Sequence, residues 1–321
     1  MASRRYLYLA AWVCVAICVP DANACCTAYG AGSKVTMVGE SVIIVWDAKN
    51  KVEHFIRKAS FDATGKDFGF IVPTPSVPTF GIADPAAFQQ LESLVPRPPT
   101  DSMALPKGVA SSRAGSVQIL KTERVGDYQA TVVKATDGAT MNAWLKENHY
   151  ASRPAMTDWL DSYTKKQWVF TALKYVAEPN RTTQTKALRL SFKTETPHYP
   201  YKMPRDTWPS GWRRNLTVYF VSNAAMVGAY EGTDRVWEAN QAWSGALPES
   251  MRSPLAKNLD LSANDIPTNA KVTIFRNGEN PDGYDQDLVF AEMKTNWTPW
   301  LGGLAVFGLG ILAFKGRKIK Q

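Results

Sequence analysis

Twenty consecutive residues without a charge, Thr295 to Phe314, lie between Lys294 and Lys315 near the end of this 321-residue chain. Coiled as a helix they would reach about 30 Å, the depth of a bilayer's hydrocarbon core. A buried core helix would not end in a cluster of cations at the chain terminus, yet Lys315, Arg317, Lys318 and Lys320 follow directly. Cations resist crossing lipid and mark the cytoplasmic side, while Trp297 and Trp300 suit the opposite headgroup layer. The stretch reads as one transmembrane helix, 295–314, with a basic cytoplasmic tail, 315–321. Gly302, Gly303, Gly308 and Gly310 are not four apart, so no G-x-x-x-G pairing face is present. A Gly-Gly pair, an apolar run and a basic end also fit a sorting signal that a membrane protease removes. In that alternative the chain is a precursor.

The other end carries an address as well. Arg4 and Arg5 precede an uncharged run, Tyr6 to Val19, that is too short to span a bilayer. Pro20 and Asp21 break it, and Ala22-Asn23-Ala24 supplies the small residues that a signal peptidase needs. Residues 1–24 therefore read as a signal peptide cleaved after Ala24. An uncleaved anchor is one rival. A lipoprotein beginning at Cys25 is another, although no Leu stands three positions upstream. Cys14 and Cys18 leave with the signal, so the mature chain keeps only Cys25 and Cys26. No disulfide framework staples the domain; the vicinal pair could form a disulfide to another chain, stay free, bridge each other or, in the lipoprotein reading, take a lipid at Cys25. The expected location is the cell membrane, single-pass, with residues 25–294 outside the cytoplasm, in the periplasm or at the cell surface.

Charge narrows the functional classes. Of the net +8, four cations belong to the tail, and the signal adds two arginines and one aspartate, so the ectodomain keeps only about +3. That is too little to argue for nucleic-acid binding. Eleven Trp, twelve Tyr and thirteen Phe provide ample core material. Val42 to Trp46 reads as a strand buried on both faces, turning at Asp47–Asn50 into a second strand, 52–61. Phe68 to Val72 reads as a strand ended by Pro73. Asp84 caps a helix with Phe88, Leu91 and Val95 on one face, and 96–116 is a proline-rich loop or covering arm. Strands 117–123 and 128–134 form a hairpin. Asp137 and Pro154 begin two further helices, and strands 168–176, 188–193, 216–221 and 272–275 follow. Hairpins without regular β-α-β alternation predict an α+β fold. It has about nine strands in antiparallel-rich sheets, three or four short helices, and the single C-terminal transmembrane helix.

Several stretches, in order, carry a family resemblance: VGESVIIVWD at 38–47, FGFIVPTPSVPTF at 68–80, YQATVVKATD at 128–137 and WLKENHY at 144–150. QWVFTALKY, LRLSFKTETPHYPYKM at 188–203 and DLVF at 287–290 continue the set. The chain resembles the bacterial exported family known as domain of unknown function 2330 over most of residues 25–290. The resemblance implies a shared fold and an extracytoplasmic setting, and it transfers no activity, cofactor or catalytic residue.

The segment Pro197 to Asn215 packs four prolines, His198, two tyrosines, two tryptophans and four cations beside an alternating strand. Tyr199, Tyr201, Trp208, Trp212, Arg213 and Arg214 are the candidate binding residues, able to stack on a sugar or grip an acidic partner. The competing reading is a strap whose rings pack on the sheet, and Trp237 and Trp243 invite the same pair of readings. Ser162 and Lys165 match S-x-x-K and Ser262 and Asn264 match S-x-N, but the K-T-G of those hydrolases is missing. His54, His149 and His198 show no zinc-helix spacing. Asn277 to Gly283 with Asp285 and Asp287 form an oxygen-rich cluster that fails the EF-hand pattern and suits a hairpin turn. Asn180, Asn215 and Asn296 begin glycan acceptor triplets, which matter only in a eukaryotic secretory route. No cofactor is expected. The sequence thus reads as an envelope protein that binds or scaffolds, with the bilayer as partner through 295–314 and an envelope protein or glycan as a further partner. A serine-type hydrolase of cell-wall or peptide material is the alternative.

Overall fold

A computed structural model describes residues 27–29, 35–63, 68–96, 118–126, 128–150, 152–176, 187–207, 215–277 and 285–293. The expected signal, Cys25 and Cys26, most of the proline-rich loop, the 295–314 span and the basic tail lie outside them. Among the described residues no helix is long and apolar enough to cross a membrane.

The chain opens with strands β1 (Thr27–Tyr29), β2 (Val35–Asp47), β3 (Val52–Ala63), β4 (Phe68–Thr74) and β5 (Thr79–Ala83), then helix α1 (Ala86–Glu92). After β6 (Gln118–Val125) and β7 (Tyr128–Lys134) come α2 (Gly138–Glu147) and α3 (Pro154–Thr164). Strands β8 (Val169–Tyr175), β9 (Ala187–Lys193), β10 (His198–Tyr199), β11 (Leu216–Ser222), β12 (Met226–Tyr230) and β13 (Asn240–Ala246) follow. Helix α4 (Glu249–Asn258), β14 (Lys271–Asn277) and β15 (Leu288–Glu292) complete the series. The described residues thus form fifteen strands where about nine were expected, and all nine expected segments are strands. Those missed are the short ones and the two-sided polar β13, where apolar alternation is weak. The α4 helix was missed because Pro254 sits inside it and reads as a breaker.

The strands build three sheets, ordered β13-β14-β11-β2-β3-β9-β5, β1-β4-β8-β7-β6 and β10-β15-β12. Among the described residues every strand pairing is antiparallel except β11 with β2. Pro73 does not end β4, which runs on to Thr74 with Pro73 opposite Phe170 of β8. Strand β1 pairs with β4 at Phe68, Gly69 and Phe70. Of the expected turn Asn277–Gly283, all but Asn277 lies outside the described residues, and the strands on either side of it, β14 and β15, belong to different sheets.

Period-two alternation sorts the side chains into layers. Ile43, Val45, Ile56, Val221 and Ile274 face α1 and α4, packing on Phe88, Leu91 and Leu255. Val42, Ile44, Phe55, Leu190 and Phe220 face the other way, onto Phe70, Val72 and Leu173 of the five-stranded sheet and Phe290 of the three-stranded one. The far face of the five-stranded sheet, with Ile71, Phe170 and Ala172, is covered by Met141, Trp144, Leu160 and Tyr163 of α2 and α3. The result is helices, sheet, sheets and helices in four layers. Asp137 caps α2 by accepting from the Thr140 N–H at 2.7 Å. Gly138 lets α3 approach, since a Cβ there would lie 2.2 Å from the Thr157 carbonyl oxygen.

Between the two sheets Arg57 Nε donates to Glu40 Oε1 at 2.7 Å, with both side chains almost wholly buried, and the guanidinium lies 4.5 Å from the Phe70 ring centroid. Removing one partner strands a charge in the core. Arg57→Ala should therefore lower unfolding stability by about 3–5 kcal/mol. The paired replacement Glu40→Leu with Arg57→Met should lower it far less, as read from urea midpoints of the purified protein.

Candidate functional site

Three polar groupings stand out from the apolar layers. The first lies where the strap Pro197–Thr207 crosses α3. Asp287, 2% exposed, accepts from the Tyr163 hydroxyl at 2.8 Å and from the Lys202 backbone N–H at 3.1 Å through the same oxygen. Lys166 Nζ stands 3.7 Å from the other oxygen and also bonds Glu231. Burial pushes the Asp287 carboxyl up from its ordinary range, against the opposing pull of Lys166, the Lys202 N–H, the Tyr163 hydroxyl and His198.

His198 belongs to the same neighbourhood. Its ring sits against Trp168, centroids 4.7 Å apart, and Phe192, 5.5 Å. Glu53, fully buried, accepts from the His198 backbone N–H at 2.9 Å, and its Oε2 lies 3.4 Å from the ring Nδ1. These contacts tie the seven-stranded sheet, the strap and α3 together. A hollow of about 10 Å³ nearby, lined by Phe55, Arg57, Trp159 and Pro200, is the size of a single water.

The second grouping is the strap itself. Tyr199 and Tyr201 are fully buried in the core, so their rings pack between the sheets and do not face solvent. Tyr201 accepts from Asn277 Nδ2 at 2.8 Å, Trp159 Nε1 donates to the Lys202 carbonyl at 3.0 Å, and Arg153 Nε pairs with Asp206 at 2.5 Å. The strap is therefore pinned as far as Asp206, and the chain resumes in β11, the central parallel partner of β2. Trp208, Trp212, Arg213 and Arg214 lie outside the described residues.

The third lies on the opposite face of the seven-stranded sheet. His54 of β3 and Ser191 of β9 are cross-strand partners, with His54 Nδ1 2.8 Å from Ser191 Oγ. Arg189 Nη1 donates to the same Oγ at 2.6 Å while its Nη2 donates to Asp260 at 2.8 Å. Gly81 on β5 makes room, since a Cβ there would lie 2.1 Å from Arg189 Nη2. Burial lowers the His54 pKa to about 4, opposed by the charges of Asp265 and Asp47 and assisted by Arg189.

The other sequence candidates are placed less suggestively. Ser162 Oγ donates to the Trp159 carbonyl within its own helix, and Lys165 pairs with Asp161 at the surface. Ser262 caps a 3-10 turn, Ala263–Asp265, accepting from the Asn264 N–H and forming a capping box with Asp265. His149 sits exposed at a left-handed position after α2. Trp237 is in the core, and Trp243 is half-buried on edge strand β13. Among the described residues, no group of three His, Cys, Asp or Glu is arranged to hold a metal. The sequence reading took Asp287 only as part of an oxygen-rich cluster and gave no role to Arg189 and Ser191. The last two appear in sequence only as the polar half of an alternating strand, and nothing along the chain reveals which cross-strand neighbour they meet.

A four-layer α+β sandwich with polar groups locked between its sheets defines the class of protein. The chain belongs to the family described as an uncharacterized protein conserved in bacteria (DUF2330), whose model matches residues 19–228. No curated protein matches it. Among solved structures, the crystal structure of baculovirus P35 is similar at 9% identity and a TM-score of 0.35, over 81% of this chain and 98% of that one. A chain of the caspase-8/P35 complex is similar at 8% identity and a TM-score of 0.36, over 79% and 90%. At these scores the likeness assigns neither fold nor activity.

A carboxyl whose pKa is raised by folding binds its proton more tightly folded than unfolded, so stability falls as pH climbs above the ordinary carboxylate range of about 4. Asp287→Asn keeps an oxygen for Tyr163 and Lys202 and removes the titration. The urea midpoint of this variant should fall less than that of the wild type between pH 4 and 8, and should lie higher at pH 7.

Proposed function

We propose that this protein is an exported, membrane-tethered binding domain of the bacterial envelope. Residues 1–24 act as a cleaved signal, 295–314 as a single transmembrane helix and 315–321 as a cytoplasmic tail, leaving 25–294 outside the cytoplasm. The uncharged run between Lys294 and Lys315, with tryptophans at one end and four cations at the other, supports the tether. Cys25 and Cys26 then stand at the mature N-terminus, free to take a lipid or a disulfide to a neighbour.

The observation that carries the binding reading is the anchoring of the strap. Two tyrosines in the core, the Trp159–Lys202 bond and the Asp287–Lys202 bond hold its first half, and the Arg153–Asp206 pair fixes the residue two before Trp208. Two indoles and two guanidinium groups at 208–214 thus arise from a fixed base, which lowers the ordering cost of engaging a partner. Their chemistry suits an acidic glycan or an acidic envelope protein, with the indoles stacking and Arg213 and Arg214 pairing with carboxylates. The reading assigns no role to nucleic acid.

Removing residues 295–321 should move the protein from the carbonate-resistant membrane pellet to the soluble fraction. Trp208→Ala with Trp212→Ala should weaken capture of an acidic envelope glycan by about 30-fold or more, given about 2 kcal/mol for a buried aromatic anchor. The melting temperature should stay unchanged. Undiminished capture by that double variant would move the binding surface elsewhere.

A further inference from the structure

We propose that Ser191 is a nucleophile activated by His54, and that the outer face of the seven-stranded sheet is an acyl-transfer site acting on carboxylic esters. The geometry begins with the ladder, which sets β9 between β3 and β5 and places Ser191 opposite His54 on one side and Thr79 on the other. Guanidinium nitrogens only donate, so the 2.6 Å contact from Arg189 occupies a lone pair of Ser191 Oγ. The serine's single hydrogen is then free to point at His54 Nδ1, 2.8 Å away. This direction requires a neutral imidazole, and burial supplies it by holding the His54 pKa at about 4.

Position and access agree with that role. Ser191 is half-buried and Thr79 beside it is exposed, so a substrate would approach Oγ from the Thr79 side while the imidazole stays covered. The pair also has a third member that holds it, since Asp260 fixes Arg189 and Gly81 leaves space for the guanidinium. A nucleophile, a base within hydrogen-bond reach and a cation at the place where negative charge would develop are the three parts acyl transfer needs.

The step balances without any further reagent than water. Ser191 Oγ bonds to the ester carbonyl carbon as its proton passes to His54 Nδ1, and the carbonyl oxygen becomes an oxyanion facing Arg189. Collapse breaks the bond to the alcohol, which leaves with the proton from His54. Water then attacks the acyl-serine, giving a proton to His54. The carboxylic acid departs, and Ser191 Oγ recovers its proton.

The full-length protein in detergent, treated with a fluorophosphonate, provides the test. Ser191 should bond to phosphorus as fluoride leaves, and peptide mass mapping should find the adduct on Ser191. Labelling should vanish in Ser191→Ala, slow by more than about 100-fold in His54→Gln, the range expected of a general base, and persist in Ser162→Ala. In the wild type its rate should rise through pH about 4 and then level, because Asp47 from β2, Arg189 from β9, Asp260 after α4 and Asp265 are the charged groups that face His54 and Arg189. An unlabelled Ser191 in protein that melts cooperatively would overturn the proposal, as would an adduct that survives Ser191→Ala. A cross-strand hydrogen bond with only a structural role yields no adduct at all.

Discussion

The β2–β3 hairpin is buried on both of its faces, and the rest of the architecture follows from that constraint. A strand such as Val42–Trp46 has no solvent side, so one layer must cover each face. Helices α1 and α4 cover one, and two further sheets cover the other. Any polar residue directed into the space between the sheets must then bring its own partner. Glu40 has Arg57, Glu53 has the His198 backbone, and Asp287 has Tyr163 and Lys202. The first joins neighbouring strands of one hairpin, while the other two join elements distant in sequence and so fix how the sheets and α3 sit on one another.

The parts that could be read from the sequence are those with a strong local signal. The apolar run at 42–46, the alternation at 188–193, the cap at Asp137 and the proline at the start of α3 all carry their physics within a few neighbouring residues. Segments such as β5, β12, β13 and β15 do not, because their strand character comes from pairing with a neighbour that the chain order hides. Pro73 misled because a proline need not end a strand: β4 continues through it to Thr74, with Pro73 opposite Phe170 of β8. The strap shows a related divide. Its aromatic richness marked it as special, yet Tyr199 and Tyr201 serve the core, and only the fold could separate them from Trp208 and Trp212.

The same holds for the polar side of β9. Arg189 and Ser191 alternate with Leu188, Leu190 and Phe192 as any half-buried strand does. It is the register against β3 that sets Ser191 beside a histidine, and the glycine on β5 that admits the arginine. Family membership adds a bacterial setting without a reaction, so chemistry has to be argued from distances such as these.

The parallel pairing of β2 with β11, the one such pairing among the described residues, has a consequence for how the chain matures. Its partners are separated by about half of the chain's length, with four strands of the five-stranded sheet and three helices interposed. Such distant pairing imposes a high contact order and a slow search. A polypeptide emerging from its N-terminus first must keep the sticky Val42–Trp46 ribbon unsatisfied until Leu216–Ser222 arrives. During that interval the ribbon is a natural target for holdase chaperones and a point of vulnerability to misassembly.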